Sequence, residues 1–173
     1  MELLNKLYLV YLKYSNPVKR ARLLGVKVGE NTMISSNVFF SSEPYLIEIG
    51  NNCQITSGVV INTHGGGILI RNYIENFDMF GRVIIEDNSY IGSNSIIMPG
   101  VTIRSNTLVA AGSVVTKSTD CNTIVGGNPA RTICSLEDFI NKNKKYNIGT
   151  FGMSYQKKKE ILLNIDKDRL IHK

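Results

Sequence analysis

The sequence predicts a mainly β fold: a parallel β-helix of six-residue repeats, with one extruded loop and terminal α-helices. Two regularities carry this prediction. Written in sixes from Ile49, the chain reads IGNNCQ, ITSGVV and INTHGG; from Ile85 it reads IEDNSY, IGSNSI, IMPGVT, IRSNTL, VAAGSV and VTKSTD. Each block opens with Ile or Val, β-branched residues that suit a strand. The step from Ile61 to Ile85 is a whole number of sixes, so the frame survives its interruption. The fourth position of each block is also restricted: Asn52, Gly58, His64, Asn88, Asn94, Gly100, Asn106, Gly112 and Ser118. Asn and Gly tolerate positive φ best, so each block reads as a short strand followed by a tight turn. Three blocks then make a triangular coil, with the opening residue pointing into a narrow interior.

The elements follow in chain order. Residues 1–26 form a helical segment: an apolar helix over 2–14, then a second helix capped by Asn16, opened by Pro17 and closed by Gly25. The β-helix occupies residues 27–133. Its first coil holds VGENTM from Val28 and ISSNVF from Ile34. These are out of frame with Ile49, which puts an irregular turn between Phe40 and Glu48. No helical period is visible between Ile49 and Asp120. Residues 65–82, GGGILIRNYIENFDMFGR, form the extruded loop. Residues 134–173 are helical again, with SLEDFINKNKK capped by Ser135 and then YQKKKEILLNIDKDRLI. Such terminal helices can cover the open ends of a β-helix.

Composition excludes several classes. The 173 residues, 43% of them hydrophobic, suffice for one domain with a core and are too apolar for disorder. The apolar run from Leu7 to Leu12 is too short for a bilayer span or a secretory signal, which places the protein in the cytoplasm. Cys53, Cys121 and Cys134 match no zinc spacing, so they are expected as reduced thiols in or near the core and no metal is expected. The net charge of +6 is concentrated near the C-terminus, where Lys157–Lys159 reads as a solvated helix face. Aromatic residues do not interleave with the basic ones, so no nucleic-acid partner is expected. The N-terminal LLNKLYLVYLKY could pack on the coil or on a neighbouring subunit, or make peripheral contact with an anionic membrane.

His64 is the one large side chain at a fourth position, and the blocks stop immediately after it. Rule-breaking of this kind is expected where function overrides folding. A long loop inside a compact repeat points the same way. The other histidine, His172, is next to last. His64 is therefore the candidate general base, since imidazole exchanges protons near neutral pH.

The segments IGSNSIIMPGVTI, VAAGSVVTK and VGGNPARTI, together with ITSGVVINTHGGG before a loop, resemble the hexapeptide-repeat acyltransferases. Within that family they are most similar to capsule and lipopolysaccharide sugar O-acetyltransferases. The resemblance implies a left-handed coil, acetyl coenzyme A as donor, a sugar hydroxyl as acceptor and a homotrimer whose sites lie between subunits. It implies that His64 deprotonates the acceptor and that the Ser93 backbone N–H stabilises the oxyanion. Ala111, one full coil beyond Ser93, stacks on it along the pantetheine groove. Thr116 and Lys117 would contact coenzyme A, and Arg131 its phosphates, with Gly127 and Pro129 shaping the adjacent turn. Tyr90 stands where relatives often have Trp and would flank the groove. Gly65 stands where many relatives have an acid, so the carboxylate that orients His64 must come from elsewhere; Asp78 and Glu75 are the candidates. Two other readings share this scaffold: N-acetylation of an amino sugar nucleotide or of a xenobiotic, and a non-enzymatic structural β-helix.

Overall fold

The computed structural model describes residues 2–171, with side chains from residue 4; His172 lies outside them. The chain divides after Leu136 into two compact units.

The first unit is the parallel β-helix expected from the repeat, and it is left-handed, as the family resemblance implies. Its three faces are ladders of very short strands. The first stacks Lys27–Val28, Ile47–Ile49, Val83–Ile85 and Thr102–Ile103. The second stacks Met33–Ile34, Gln54–Ile55, Tyr90–Ile91 and Leu108–Val109, and the third Phe39–Phe40, Val60–Ile61, Ile96–Ile97 and Val114–Val115. Ile85, Ile91 and Ile97 pair with Ile103, Val109 and Val115, one regular coil of three blocks further on. Ile49, Ile55 and Ile61 pair with those same three isoleucines across twice that separation, because the loop adds a further coil's length without disturbing the ladder. Val28, Ile34 and Phe40 pair with Ile49, Ile55 and Ile61 across slightly more than one regular coil. The excess lies in the predicted irregular turn, which contains a 3-10 turn at Pro44–Leu46.

Every opening Ile or Val from Ile49 to Val115 is at most 3% exposed. The fifth positions Cys53, Val59, Ser89, Ser95, Val101, Thr107 and Ser113 are buried as well. The interior is therefore lined twice per block, with a large side chain from the strand and a smaller one from the turn. The buried hydroxyls bond to backbone carbonyls, as Ser95 Oγ does to Ala110 at 3.0 Å and Thr107 Oγ1 to Asp120 at 3.1 Å. Asn52, Asn88, Asn94 and Asn106 have φ between 53° and 59°, and Gly58, Gly100 and Gly112 are also left-handed. His64 and Ser118 depart from that rule. His64 is instead paired with Phe80 in an antiparallel bridge, which requires extended backbone.

Helix α1 (Glu2–Ser15) and helix α2 (Pro17–Leu24) precede the coil. Asn16 Oδ1 accepts from the Lys19 N–H at 2.9 Å, and Gly25 closes α2 at φ 107°. Ala21 of α2 is fully buried in the core of the first coil. Leu12 of α1 is buried, while Leu7, Val10, Tyr11 and Tyr14 face solvent.

Four sequence expectations need correction. The loop contains a single helical turn, α3 (Gly67–Ile70), where no helix was expected. Strand Thr123–Gly127 extends the second face and folds back antiparallel onto Ala130–Ser135, a hairpin the hexad pattern does not announce. In the second unit, α4 (Leu136–Asn143) forms as expected, but α5 (Tyr155–Asn164) ends early. Asp166 accepts from the Asp168 N–H at 3.1 Å, and this local bond competes with helix continuation. Among the cysteines, Cys53 is buried and Cys134 half-buried, but Cys121 is exposed. Burial pushes the Cys53 thiol up, which keeps it unreactive.

The interior accepts one large side chain per block, so truncation there is costly. Ile91→Ala is expected to lower stability by about 2–5 kcal/mol, read from chemical denaturation of the assembled protein.

Candidate functional site

Both irregularities of the coil fall on the edge that joins the third face to the first. The irregular turn supplies Ser41, Ser42 and Glu43; the next coil supplies Thr63, His64 and the extruded loop. Glu43 precedes His64 by the same offset that separates the paired Phe40 and Ile61, so stacking alone brings the two side chains together. The His64 Nδ1 stands 2.9 Å from Glu43 Oε2, 3.1 Å from Ser41 Oγ and 3.4 Å from Ser42 Oγ. The fully buried Thr63 donates its hydroxyl to the same Glu43 oxygen at 2.8 Å. Hydrogen bonds from His64 and Thr63 hold the Glu43 carboxyl below the usual carboxylate range.

Glu43 is thus the carboxylate at the histidine, and the two loop candidates are not. Asp78 is paired with Arg71, whose Nε also donates to the Phe77 carbonyl at 2.9 Å. Glu75 is exposed on the loop. Sequence proximity favoured these two residues, whereas the distance in space is set by coil stacking. The offset visible between Val28 and Ile49 would have identified Glu43 had it been applied to His64.

The loop returns close to where it leaves. The Gly65 N–H bonds to the Met79 carbonyl at 3.2 Å and the Gly81 N–H to the Thr63 carbonyl at 2.8 Å. Gly81 must be glycine, because a Cβ there would stand 2.3 Å from the Gly100 nitrogen. Phe80 meets the His64 ring edge-on, with centroids 6.5 Å apart. Beside them opens a largely apolar cavity of about 390 Å³ lined by Gly65, Met79, Phe80, Met98, Pro99 and Thr116. The His64 side chain is 46% exposed, so a substrate can reach it, whereas Glu43 is only 17% exposed.

The remaining candidates occupy other parts of the prism. Ser93 and Ala111 stack on the edge between the second and third faces, where the Gly112 N–H bonds to the Ser93 carbonyl at 2.8 Å. In that turn the Asn94 N–H bonds to the Ser57 carbonyl at 2.9 Å, while the Ser93 N–H does not join the ladder among the described residues. Tyr90 projects from the second face, in register with Gln54 and Leu108. Thr116 and Lys117 return to the histidine's edge. Lys117 and Arg131 line one cavity of about 230 Å³ with Asp120 and Thr132. Within one chain, then, the structure brings His64 to Glu43, Ser93 to Ala111, and Lys117 to Arg131. It does not bring His64 to Ser93, because they lie on different edges. Among the described residues no group of His, Cys, Asp or Glu could hold a metal ion.

Residues 82–117 match the family model described as the hexapeptide repeat of succinyl-transferase. The chain is 45% identical over 168 residues to Protein CapG of Staphylococcus aureus, covering 95% of this chain and 98% of that one. It is 35% identical to a putative acetyltransferase, YvoF, of Bacillus subtilis, covering 70% of this chain and 67% of that one. Among solved structures, a hexapeptide-repeat acetyltransferase of Vibrio cholerae complexed with acetyl coenzyme A is 26% identical with a TM-score of 0.64, over 75% of this chain and 84% of that one. A galactoside acetyltransferase in complex with coenzyme A is 26% identical with a TM-score of 0.59, over 87% of each chain.

An exposed ion pair such as Arg71–Asp78 contributes little to stability, roughly 0–1 kcal/mol. Asp78→Asn is therefore expected to leave turnover within about threefold of the native protein, measured as steady-state kcat.

Proposed function

The chain belongs to the hexapeptide-repeat acyltransferase family, and on that premise we propose that it moves an acetyl group from acetyl coenzyme A to a sugar hydroxyl of a capsule, O-antigen or other glycan precursor. The observation that carries this reading is His64. It is accessible, backed by a carboxylate, beside an apolar cavity, and placed where the coil is broken to accommodate it.

In the proposed reaction the His64 imidazole takes the proton of the acceptor hydroxyl as its oxygen attacks the thioester carbonyl. The new C–O bond gives a tetrahedral intermediate whose oxyanion is met by the Ser93 backbone N–H. Collapse breaks the C–S bond, and the departing thiolate takes the proton back from the imidazolium. Because His64 and Ser93 lie on different edges, the N–H is assigned to a neighbouring copy, which accords with a homotrimer. Along the groove, Ala111 lies against the pantetheine arm, Tyr90 flanks it, Thr116 and Lys117 contact the cofactor, and Arg131 meets its phosphates as a guanidinium does well.

No described helix is long and apolar enough to cross a membrane. We assign the enzyme to the cytoplasm, where its donor is available. The exposed side of α1 is the surface by which it would touch an anionic membrane carrying a lipid-linked acceptor.

The test is calorimetric titration with acetyl coenzyme A, followed by turnover on a panel of sugars. Saturable binding is expected, about 10- to 100-fold weaker in Arg131→Ala, the effect of losing a charged hydrogen bond. His64→Ala should bind the donor normally and lose roughly 10²–10⁴ in kcat. A folded, assembled protein that does not bind the donor at millimolar concentration would overturn the proposal and favour a structural β-helix. Turnover on amino sugars alone would move the reaction to nitrogen.

A further inference from the structure

We infer that the C-terminal unit is a membrane-docking surface. The Tyr155, Leu162 and Leu163 side of α5, with the Phe151 turn before it, enters the headgroup region of an anionic bilayer, and Lys158 and Lys159 meet the lipid phosphates. The inference depends neither on the proposed reaction nor on contact through α1.

The unit has helices but no core. No described side chain after Leu136 is buried. A segment this short does not supply its own hydrophobic core, so its exposed apolar groups call for a cover from outside. They are not scattered. The Met153 N–H donates to the Thr150 carbonyl at 3.3 Å, closing a tight turn whose third residue, Gly152, has φ 77°. That turn holds Phe151 at its tip, fully exposed. Ser154 then accepts from the Lys157 N–H and caps α5, which fixes the phase of the helix directly after the turn.

On α5 the residues Tyr155, Lys159 and Leu162 recur at helical spacing, with Lys158 and Leu163 at their sides. These five line one shallow hollow of about 300 Å³. Tyr155 and Leu163 are largely exposed. Lys157, Glu160 and Asn164 fall on the opposite side by the same spacing. The lysine run is therefore not one uniform solvated face, as the sequence alone suggested. Lys158 and Lys159 border an apolar stripe, and the single acid of α5 is kept away from it. Long cationic side chains in that position cover apolar surface with their stems and carry the charge to a headgroup. At ten residues α5 is far too short to span a bilayer and suits the plane of its surface.

Charge selects the occupant. Residues 137–173 hold nine Lys and Arg against five Asp and Glu, so most of the net charge of +6 lies here. In the first unit the cations are largely matched: Arg22 pairs with Glu30, Lys27 and Arg82 with Glu48, Arg71 with Asp78, and Arg104 with Glu86. Among the described residues Lys157, Lys158 and Lys159 join no ion pair. A second copy of this chain would have to answer them with acids that its own first unit already holds. A nucleic acid would answer the lysines and leave Leu162 and Leu163 in water. An anionic lipid surface answers both, with phosphates for the ammonium groups and acyl chains for the stripe.

The test uses the full chain. It contains no Trp, so Phe151→Trp places a single fluorescent reporter at the turn tip. With phosphatidylcholine vesicles holding about one third phosphatidylglycerol, its emission should shift to the blue and become shielded from acrylamide; neutral vesicles should do neither. Contact through α1 alone leaves this local signal unchanged. In vesicle sedimentation, Lys158→Gln with Lys159→Gln should weaken binding about 30-fold. Phe151→Ser with Leu163→Ser should weaken it roughly 10- to 100-fold. All four positions are exposed, and unchanged circular dichroism checks that each variant keeps its fold. An emission that ignores anionic vesicles, or binding unaffected by the lysine pair, overturns the inference. So does binding that needs the lysines but not Phe151 and Leu163, which is adsorption by charge alone. A blue shift that grows with protein concentration in the absence of lipid also overturns it and assigns the stripe to a second copy.

Discussion

The interior of the prism is wide enough for one large and one small side chain per block, and the rest of the structure depends on that width. Each coil must place its Ile or Val directly over that of the coil before it, as Ile85, Ile103 and their counterparts on the other faces do. Parallel pairing then satisfies the backbone without long strands. A shift of one residue would turn a buried side chain outward on every face at once. Positive φ at Asn52, Asn88, Asn94 and Asn106 supplies the corners, and those corners keep the strands short enough for the coil to close.

Such a scaffold tolerates insertions at its edges alone. The faces are locked by pairing, but a turn can lengthen if its ends return to register. Both insertions obey this: the short one in the first coil and the long loop in the next leave the ladders intact. Variation is thereby concentrated on one edge, and chemical groups with it. Glu43 and His64 both stand at these insertions and not on a face. On an edge released from the repeat they meet through a rigid register, and only the loop beyond them is free to adapt to a substrate.

What the sequence made legible follows the same division. The faces were readable because width and pairing write a period into the chain; the block openings and most fourth positions behave as the repeat requires. The asparagine cap at Asn16 and the glycine stop at Gly25 were readable because each satisfies a local backbone need. The hairpin from Thr123 to Ser135 was not, since its antiparallel return through Gly127 and Asn128 leaves the hexad period. Glu43 was missed for a related reason. It lies in the out-of-frame turn, where the partner follows from the longer offset of the first coil and not from the regular hexad phase, and Asp78 and Glu75 were nearer in sequence. His64 was singled out correctly as a break in the pattern, yet its backbone answers to Phe80 rather than to the positive-φ rule.

The separation of His64 from Ser93 is a further consequence of the narrow prism. A wide barrel can gather residues from all sides around a central cavity. Here the centre is filled by branched aliphatic side chains, so no substrate can enter it and all chemistry is confined to the outside. Groups on different edges of one coil face away from each other and cannot converge by any small motion of so regular a stack. An active site drawn from two edges therefore requires a second prism set alongside the first. On the proposed reading, the rigidity that aligns Glu43 beneath His64 is also what makes the catalytic unit larger than a single chain.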